Sequence, residues 1–246
     1  MTNRAPVRSR ARPTRAAPLP EGTEKRRTVE EMFDRIAARY DRLNRIISFG
    51  LDQRWRRHTV AALALPRGSR VLDVACGTGD LALALGGAGY PTVGIDLSAG
   101  MLHAANTSVP LVRGDALALP IADRSVDGLT CGFGLRNFVD GSRFFTECAR
   151  VVRPGGRVAV LETADPSWVV MRRGRDVWLG AVAPWIASRL GSDADAYRYL
   201  PRSAAYLPPP GELVATLDTA GFRGVASRPL TGGVVRLLTG TREAGP

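Results

Sequence analysis

A short apolar run, Val71-Leu72-Asp73-Val74-Ala75, opens directly into Cys76-Gly77-Thr78-Gly79-Asp80-Leu81-Ala82. The first is the kind of segment a fully covered strand requires, and the second fits the G-x-G-x-x-(G/A) pattern of a nucleotide-binding turn. Gly77 and Gly79 let the backbone turn sharply and lie close against a ligand. Alone, the pattern also fits an ordinary strand-to-helix turn, so its surroundings decide. Asp96 closes the next apolar run, 19 residues after Gly77, where a carboxylate accepts both hydroxyl hydrogens of a ribose. The ligand is then a dinucleotide or S-adenosylmethionine. Asp73 and Asp80 put negative charge where a dinucleotide must place its pyrophosphate, whereas a sulfonium and an ammonium are attracted there. S-adenosylmethionine is the expected cofactor. Asp115-Ala116, after a third short run, supplies a second acid near the adenine end; capping a helix is the alternative duty for Asp115.

These residues act together only if a frame brings the ends of several strands side by side. Runs at 71–75, 92–95, 111–112, 126–131 and 157–161 are short and apolar, and helix-length segments separate them. That alternation predicts an α/β fold with a doubly wound parallel sheet. Upstream, Val29, Met32, Phe33, Ile36, Tyr40, Leu43 and Ile47 recur at three or four residues while Arg35, Arg39, Arg42 and Arg45 fill the other face, which predicts an amphipathic helix. A second helix over 52–65 must end at Pro66 and Gly68. Residues 29–66 are thus read as an N-terminal helical cap on a domain spanning 29–246. Residues 167–206, with Trp168, Trp178, Trp185, Ile186 and Leu190, break the strand rhythm and read as an inserted helical cap. Helix 211–220 and strands over 222–228 and 231–239 complete the chain.

Composition removes several function classes. Of the net charge of +11, +6 sits on residues 1–28, a Pro-, Arg- and Ala-rich segment expected to be a disordered basic tail. The remaining +5 is modest, no interleaved aromatic and basic surface is legible, and no nucleic-acid partner is expected. Lys25 is the single lysine, which excludes Schiff-base chemistry on a core lysine. Cys76, Cys131 and Cys148 form no CxxC, and His58 and His103 stand far apart, so neither a metal site nor a disulfide framework is expected and a reducing cytoplasm fits. No segment reaches the roughly 20 apolar residues that span a bilayer.

With Gly114-Asp115-Ala116, Leu119-Pro120 and Arg153-Pro154-Gly155-Gly156-Arg157 added, the chain resembles the class I S-adenosylmethionine-dependent methyltransferases. Phe33-x-x-Ile36-Ala37-x-x-Tyr40-Asp41-x-x-Asn44, Ser48-Phe49-Gly50, Trp55-Arg56-Arg57 and Phe133-Gly134-Leu135-Arg136-Asn137 narrow this likeness. Together with Ala196-Tyr197-x-Tyr199-Leu200-Pro201-x-Ser203 and Leu230-Thr231-Gly232-Gly233-Val234-Val235, they are similar to the quinone C-methyltransferases of menaquinone and ubiquinone biosynthesis. The resemblance covers about residues 29–241. It implies a seven-stranded, Rossmann-like sheet with an antiparallel last strand, and it carries Thr78, Asp96, Asp115 and Ala116 over as cofactor contacts beside Asp73, Gly77 and Gly79. Three departures stand out: Gly132 where the family usually has serine, Thr163-Ala164 after Glu162 where Phe-Ser is common, and Arg236 with Leu238 where Ala and His often occur.

The implied reaction is methylation of a ring carbon in a demethylated polyprenyl hydroquinone, demethylmenaquinol by preference. A secondary-metabolite phenol is the alternative acceptor. An in-line displacement is catalysed largely by positioning. An aromatic carbon attacks only from an electron-rich ring, so the reduced hydroquinone reacts and the quinone does not. Arg136, after the fourth strand, falls at the edge where such folds place ligands and is expected to hold the phenolate oxygen. Asn137 would donate to the other ring oxygen, while Tyr40 and Asn44, at i and i+4, close over the substrate. The Trp168–Leu190 stretch offers an apolar path for a prenyl tail, with ordinary burial or a homodimer surface as equal alternatives. Its lipid acceptor and basic tail suggest peripheral contact with the inner face of a membrane.

Overall fold

All four residues of Val71–Val74 (β1) are buried, as expected of a parallel strand covered on both faces. The computed structural model describes residues 20–244 except 167, 191 and 192. The part of the tail expectation that falls on residues 1–19 lies outside them. β1 pairs in parallel with Thr92–Asp96 (β2) on one side and Val126–Gly132 (β4) on the other. Leu111–Arg113 (β3) extends the sheet beyond β2, and Val152–Thr163 (β5) extends it beyond β4. Phe222–Leu230 (β6) and Val235–Arg242 (β7) complete a seven-stranded sheet of order β3-β2-β1-β4-β5-β7-β6, with β7 antiparallel to both neighbours. The chain walks outward from β1 to β3 and then crosses back to β4. Strand order therefore reverses between β1 and β4, and a crevice opens at their carboxyl ends.

The N-terminal layer differs from the sequence expectation in two ways. Helix α1 runs Gly22–Ile36, so residues 22–28 belong to the fold and not to a tail. Lys25, Val29, Met32 and Ile36 form its buried stripe. Lys25 satisfies its charge by donating to the Phe138 carbonyl at 2.7 Å and lying 3.6 Å from the Tyr206 ring centre. Sequence periodicity missed this because a lysine occupies a position where an apolar residue was sought. The second difference is a tight 3-10 turn over Ala37–Arg39, which divides the expected single helix into α1 and Tyr40–Ile47 (α2). Nothing in the local sequence demands a break there. Tertiary contacts fix both sides: Asp34 accepts from Ser98 Oγ and the Gly100 amide, and Asp41 accepts from Thr78 Oγ1. Leu51–Leu63 (α3) follows.

Asp80–Gly87 (α4), Ala99–Ala104 (α5) and Gly141–Val151 (α6) connect the parallel strands. One core holds Leu72, Val74 and Leu129 of the sheet with Phe144 and Phe145 of α6, and another holds Val71 and Leu161 with Trp55, Leu63 and Leu85. Between β5 and the closing strands the chain forms Val169–Val177 (α7), a wide turn over Trp178–Val182, Ala183–Arg189 (α8), Ala194–Ser203 (α9) and Pro210–Thr219 (α10). A third core unites Ala183, Ala187 and Tyr199 with Met32, Ile36, Leu43 and Ile47. The insertion is thereby tied to α1 and α2, and the two helical layers meet above the sheet's carboxyl edge.

Candidate active site

Where β1 ends, Ala75, Gly77 and Gly79 all adopt positive φ, and the chain turns into α4. Gly79, at φ 88°, also packs so closely on Thr107 that a Cβ would lie 2.8 Å from its methyl group. The turn delivers the Gly77 amide to Asp96, at the end of β2, with a 2.8 Å bond to Oδ2. Ser98 donates its amide to Oδ1 at 2.9 Å. Burial raises the Asp96 pKa, and these amide donors partly offset the shift. Beside it lies a cleft of about 840 Å³, to which Gly77, Asp96, Asp115, Ala116 and Gly132 all contribute. Asp115 does not cap a helix; it accepts from the Leu117 amide and pairs with Arg26 of α1 at 3.2 Å.

Other residues selected from the glycine loop face elsewhere. Asp73 is buried beneath it, accepts from Thr130 Oγ1 at 2.7 Å and leaves Oδ2 unpartnered; burial pushes its pKa up to about 7. Thr78 is buried and gives its hydroxyl to Asp41, while Gly79 serves the turn. Asp80 pairs with Arg45 and Arg56 at 3.5 and 3.4 Å. Contrary to the expectation from sequence, Asp73 and Asp80 therefore present no free charge to the cleft and do not themselves repel a pyrophosphate. Strands buried on both faces give no alternation from which such directions can be read.

A second, larger and mainly apolar cavity of about 1,600 Å³ adjoins the first. Tyr40 and Phe133 line both, so they form the wall between them. Asn44 and Arg136 line the second cavity, where Asn44 follows Tyr40 by one turn of α2. Burial raises the Tyr40 pKa, opposed mainly by the charge of Arg136. Asn137 lines the first cleft instead, and its side chain meets the Phe133 carbonyl and the Tyr199 hydroxyl. The expectation that Asn137 donates to the acceptor ring is corrected accordingly.

Arg136 is buried, and its guanidinium is held at three points: Glu162 Oε1 at 2.5 Å, the Phe133 carbonyl at 2.9 Å and Ser203 Oγ at 3.2 Å. Burial works against its charge, but Glu162 and Tyr40 outweigh that and hold its pKa above the ordinary value. Glu162 also accepts from the Arg136 and Thr163 amides. Sequence reasoning assigned no role to Glu162 or Ser203. The only available signal was their presence in the segments that carried the resemblance. Arg56 was missed similarly: it lines the second cavity, is buried, and pairs with Asp52 and Asp80 at 3.8 and 3.4 Å.

The charged residues lining the first cleft are Asp96, Asp115, Glu30 and Arg26; Asp115 pairs with Arg26 at 3.2 Å and Glu30 with Arg113 at 2.8 Å, which leaves the Asp96 carboxylate outside any ion pair among the described residues. With its lining cation Arg26 already paired and the Asp96 carboxylate in place, the cleft fits a ligand bearing a sulfonium and an ammonium and offers little to a polyphosphate. Asp96 brings its carboxylate to this cleft at the end of β2, where the sequence places it. Sheet order, glycine turn and acidic cleft together define a class I S-adenosylmethionine-dependent methyltransferase.

Solved structures share the fold: a methyltransferase bound to the Haloferax volcanii Trm112 activator has a TM-score of 0.64 at 18% identity, covering 86% of this chain and 98% of its own. An S-adenosylmethionine-dependent methyltransferase from Thermotoga maritima has 0.60 at 19%, covering 87% and 99%. The model of the ubiE/COQ5 methyltransferase family matches residues 21–242, and the chain belongs to that family. Relatives named demethylmenaquinone methyltransferase include one from Roseiflexus castenholzii, 42% identical over 92% of this chain and 98% of that protein. Another, from Mycolicibacterium vanbaalenii, is 44% identical over 87% and 94%.

Proposed function

We propose that this methyltransferase converts demethylmenaquinol, a demethylated polyprenyl hydroquinone, to menaquinol by methylating a ring carbon. The carrying observation is the shared wall: an acid-rich cleft and an apolar cavity meet at Tyr40 and Phe133, with the buried Arg136 cation on the apolar side. The names of the curated relatives agree with this acceptor. S-adenosylmethionine, when bound, supplies a methyl carbon activated by its sulfonium leaving group.

The chain's own residues do the rest. Arg136, fixed by Glu162, Ser203 and the Phe133 carbonyl, holds the hydroquinone oxygen as the oxyanion and so raises electron density in the ring. Because its donors are already oriented, little reorganisation accompanies the reaction. Arg56, ion-paired with Asp52 and Asp80 on the wall of the same cavity, adds a second positive charge beside the acceptor ring. Tyr40, with Asn44 one turn further along α2, shapes the passage between the cavities, and the apolar walls keep water from competing. Met171, Trp178 and Leu179 give the prenyl tail an apolar path. The enzyme works in the cytoplasm, in peripheral contact with the membrane that holds its acceptor; no described helix is long and apolar enough to cross one.

Methyl transfer from labelled S-adenosylmethionine to demethylmenaquinone, with and without a chemical reductant, tests this reading. Ring methylation only under reduction is expected. Cofactor binding without quinol methylation would redirect the reaction to a phenol lacking a tail, for which Thr163 on the cavity wall leaves room.

A further inference from the structure

Seven of the ten large hydrophobic side chains exposed among the described residues lie on two segments. Trp168, Val169, Val170, Val177 and Trp185 belong to the inserted helices, and Ile46 and Phe49 to the corner between α2 and α3. The rings of Phe49 and Trp178, 4.5 Å apart, join the segments. Concentration in one place is unusual, since exposed apolar residues on a monomer are ordinarily scattered. Helix α7 has no buried residue at all, yet its Met171, Gly174 and Arg175 line the acceptor cavity. The exposed patch therefore borders that cavity. Arg172 and Arg173 are exposed between its valines, and Arg189 lies 5.0 Å from the Trp185 ring.

We propose that this face docks on an anionic lipid bilayer, with the tryptophans and valines entering the headgroup region and the arginines meeting lipid phosphates. The inference rests on the polyprenyl acceptor proposed above and names the surface through which it arrives. Tryptophan beside arginine and aliphatic residues is the composition that favours a membrane interface. A second copy of the chain suits the face less well. A two-fold contact sets each patch against itself and would bring like-charged arginines together. Docking here would let a tail pass from the bilayer into the cavity without crossing water.

The test is cosedimentation of the full chain with vesicles of phosphatidylcholine alone or mixed equally with phosphatidylglycerol, alongside turnover on a vesicle-embedded long-chain acceptor and a short-chain acceptor free in solution. Both variants, Trp168→Ser with Val170→Asp and Arg172→Glu with Arg173→Glu, change only exposed side chains. The parent should bind the anionic vesicles, and each variant should weaken binding about tenfold or more. Long-chain turnover should fall while short-chain turnover is kept. Parent-like vesicle binding by both variants would overturn the proposal. So would a parent dimer that the variants dissociate while vesicle binding persists. Failure of the parent to methylate either acceptor would instead remove the acceptor reading, a result distinguishable because binding is measured separately.

Discussion

The two adjoining cavities are built in different ways. Most of the methyl-donor cleft comes from the carboxyl ends of β1, β2 and β4 and the loop after β3, with α1 closing it from above. The second cavity takes Arg136, Thr163 and Val234 from beyond β4, the end of β5 and the entry to β7, and Tyr40, Arg56 and Trp178 from the helical layers that close over them. The first depends on local turn geometry repeated at successive strand ends. The second depends on long-range packing, so it is where the helical layers can change the acceptor while leaving the donor site in place.

If the cavities have these separate duties, substitutions in each should affect different constants. Arg136→Ala should lower kcat by about two to three orders of magnitude, corresponding to a lost oriented donor of roughly 3–4 kcal/mol, while calorimetry finds donor affinity little changed. Alanine also leaves Glu162 buried without its cation, at a stability cost of about 3–5 kcal/mol, so Arg136→Lys is the necessary companion. Lysine keeps the charge but cannot reproduce the three-point hold, and most of the turnover should still be lost. Near-normal turnover in the alanine variant would remove Arg136 from catalysis, and near-normal turnover in the lysine variant would mean that a cation suffices without the three-point hold.

The converse experiment is Asp96→Ala. Affinity for S-adenosylmethionine should weaken about tenfold or more, equivalent to about 1.4 kcal/mol, while kcat at saturating donor changes far less. Asp96→Asn separates ligand contact from loop support, because the carboxylate also accepts from the Gly77 and Ser98 amides. Equal affinity in parent and alanine variant would place the ribose elsewhere.

The same contrast explains what could be read from sequence. Alternating short apolar runs and helix-length segments pointed to the sheet, and Gly77, Asp96, Asp115, Ala116 and Gly132 converge because each lies at or just beyond a strand end. Arg136 was legible as a charged residue just after β4. Its partners were not: Glu162 and Ser203 are 26 and 67 residues away, and no local period links such positions. Asp73, Thr78 and Asn137 were assigned to the correct segments but with the wrong side-chain directions. The 3-10 break at Ala37–Arg39 was invisible because contacts from Asp34 and Asp41, not a glycine or proline, accompany it.

Asp73 lies beneath both cavities and feels Arg56 from one and Asp96 from the other. Burial pushes its pKa up to about 7, against an ordinary carboxylate value near 4. The folded protein therefore holds this proton more tightly than the unfolded chain. The stability it contributes is complete below about pH 4 and is lost as pH rises to about 7. Asp73→Asn has no such proton to lose and keeps an oxygen for Thr130. Relative to the parent, the variant should gain about 1–3 kcal/mol between pH 5 and pH 8, read from urea midpoints. A difference independent of pH would mean that Asp73 ionises normally in the fold.

The smallest expected effect concerns Gly132, on the donor side, where the resembled family usually carries serine. Its backbone is not in the left-handed region, so a side chain meets no intrinsic strain there. A Cβ would approach Leu81 Cδ2 to 3.3 Å, a distance that a flexible leucine end can relieve by moving a few tenths of an ångström. Leu81 belongs to a tightly packed core, so the accommodation should reduce stability slightly. The added hydroxyl would enter the donor cleft and offer one neutral hydrogen bond, worth about 0.5–1.5 kcal/mol. Gly132→Ser should therefore bind S-adenosylmethionine about two- to tenfold more tightly, with a small fall in Tm and no change in acceptor KM. Tighter binding would identify the cleft side of β4 as a ligand wall; unchanged affinity with the same fall in Tm would mean that Leu81 holds the hydroxyl away from the donor.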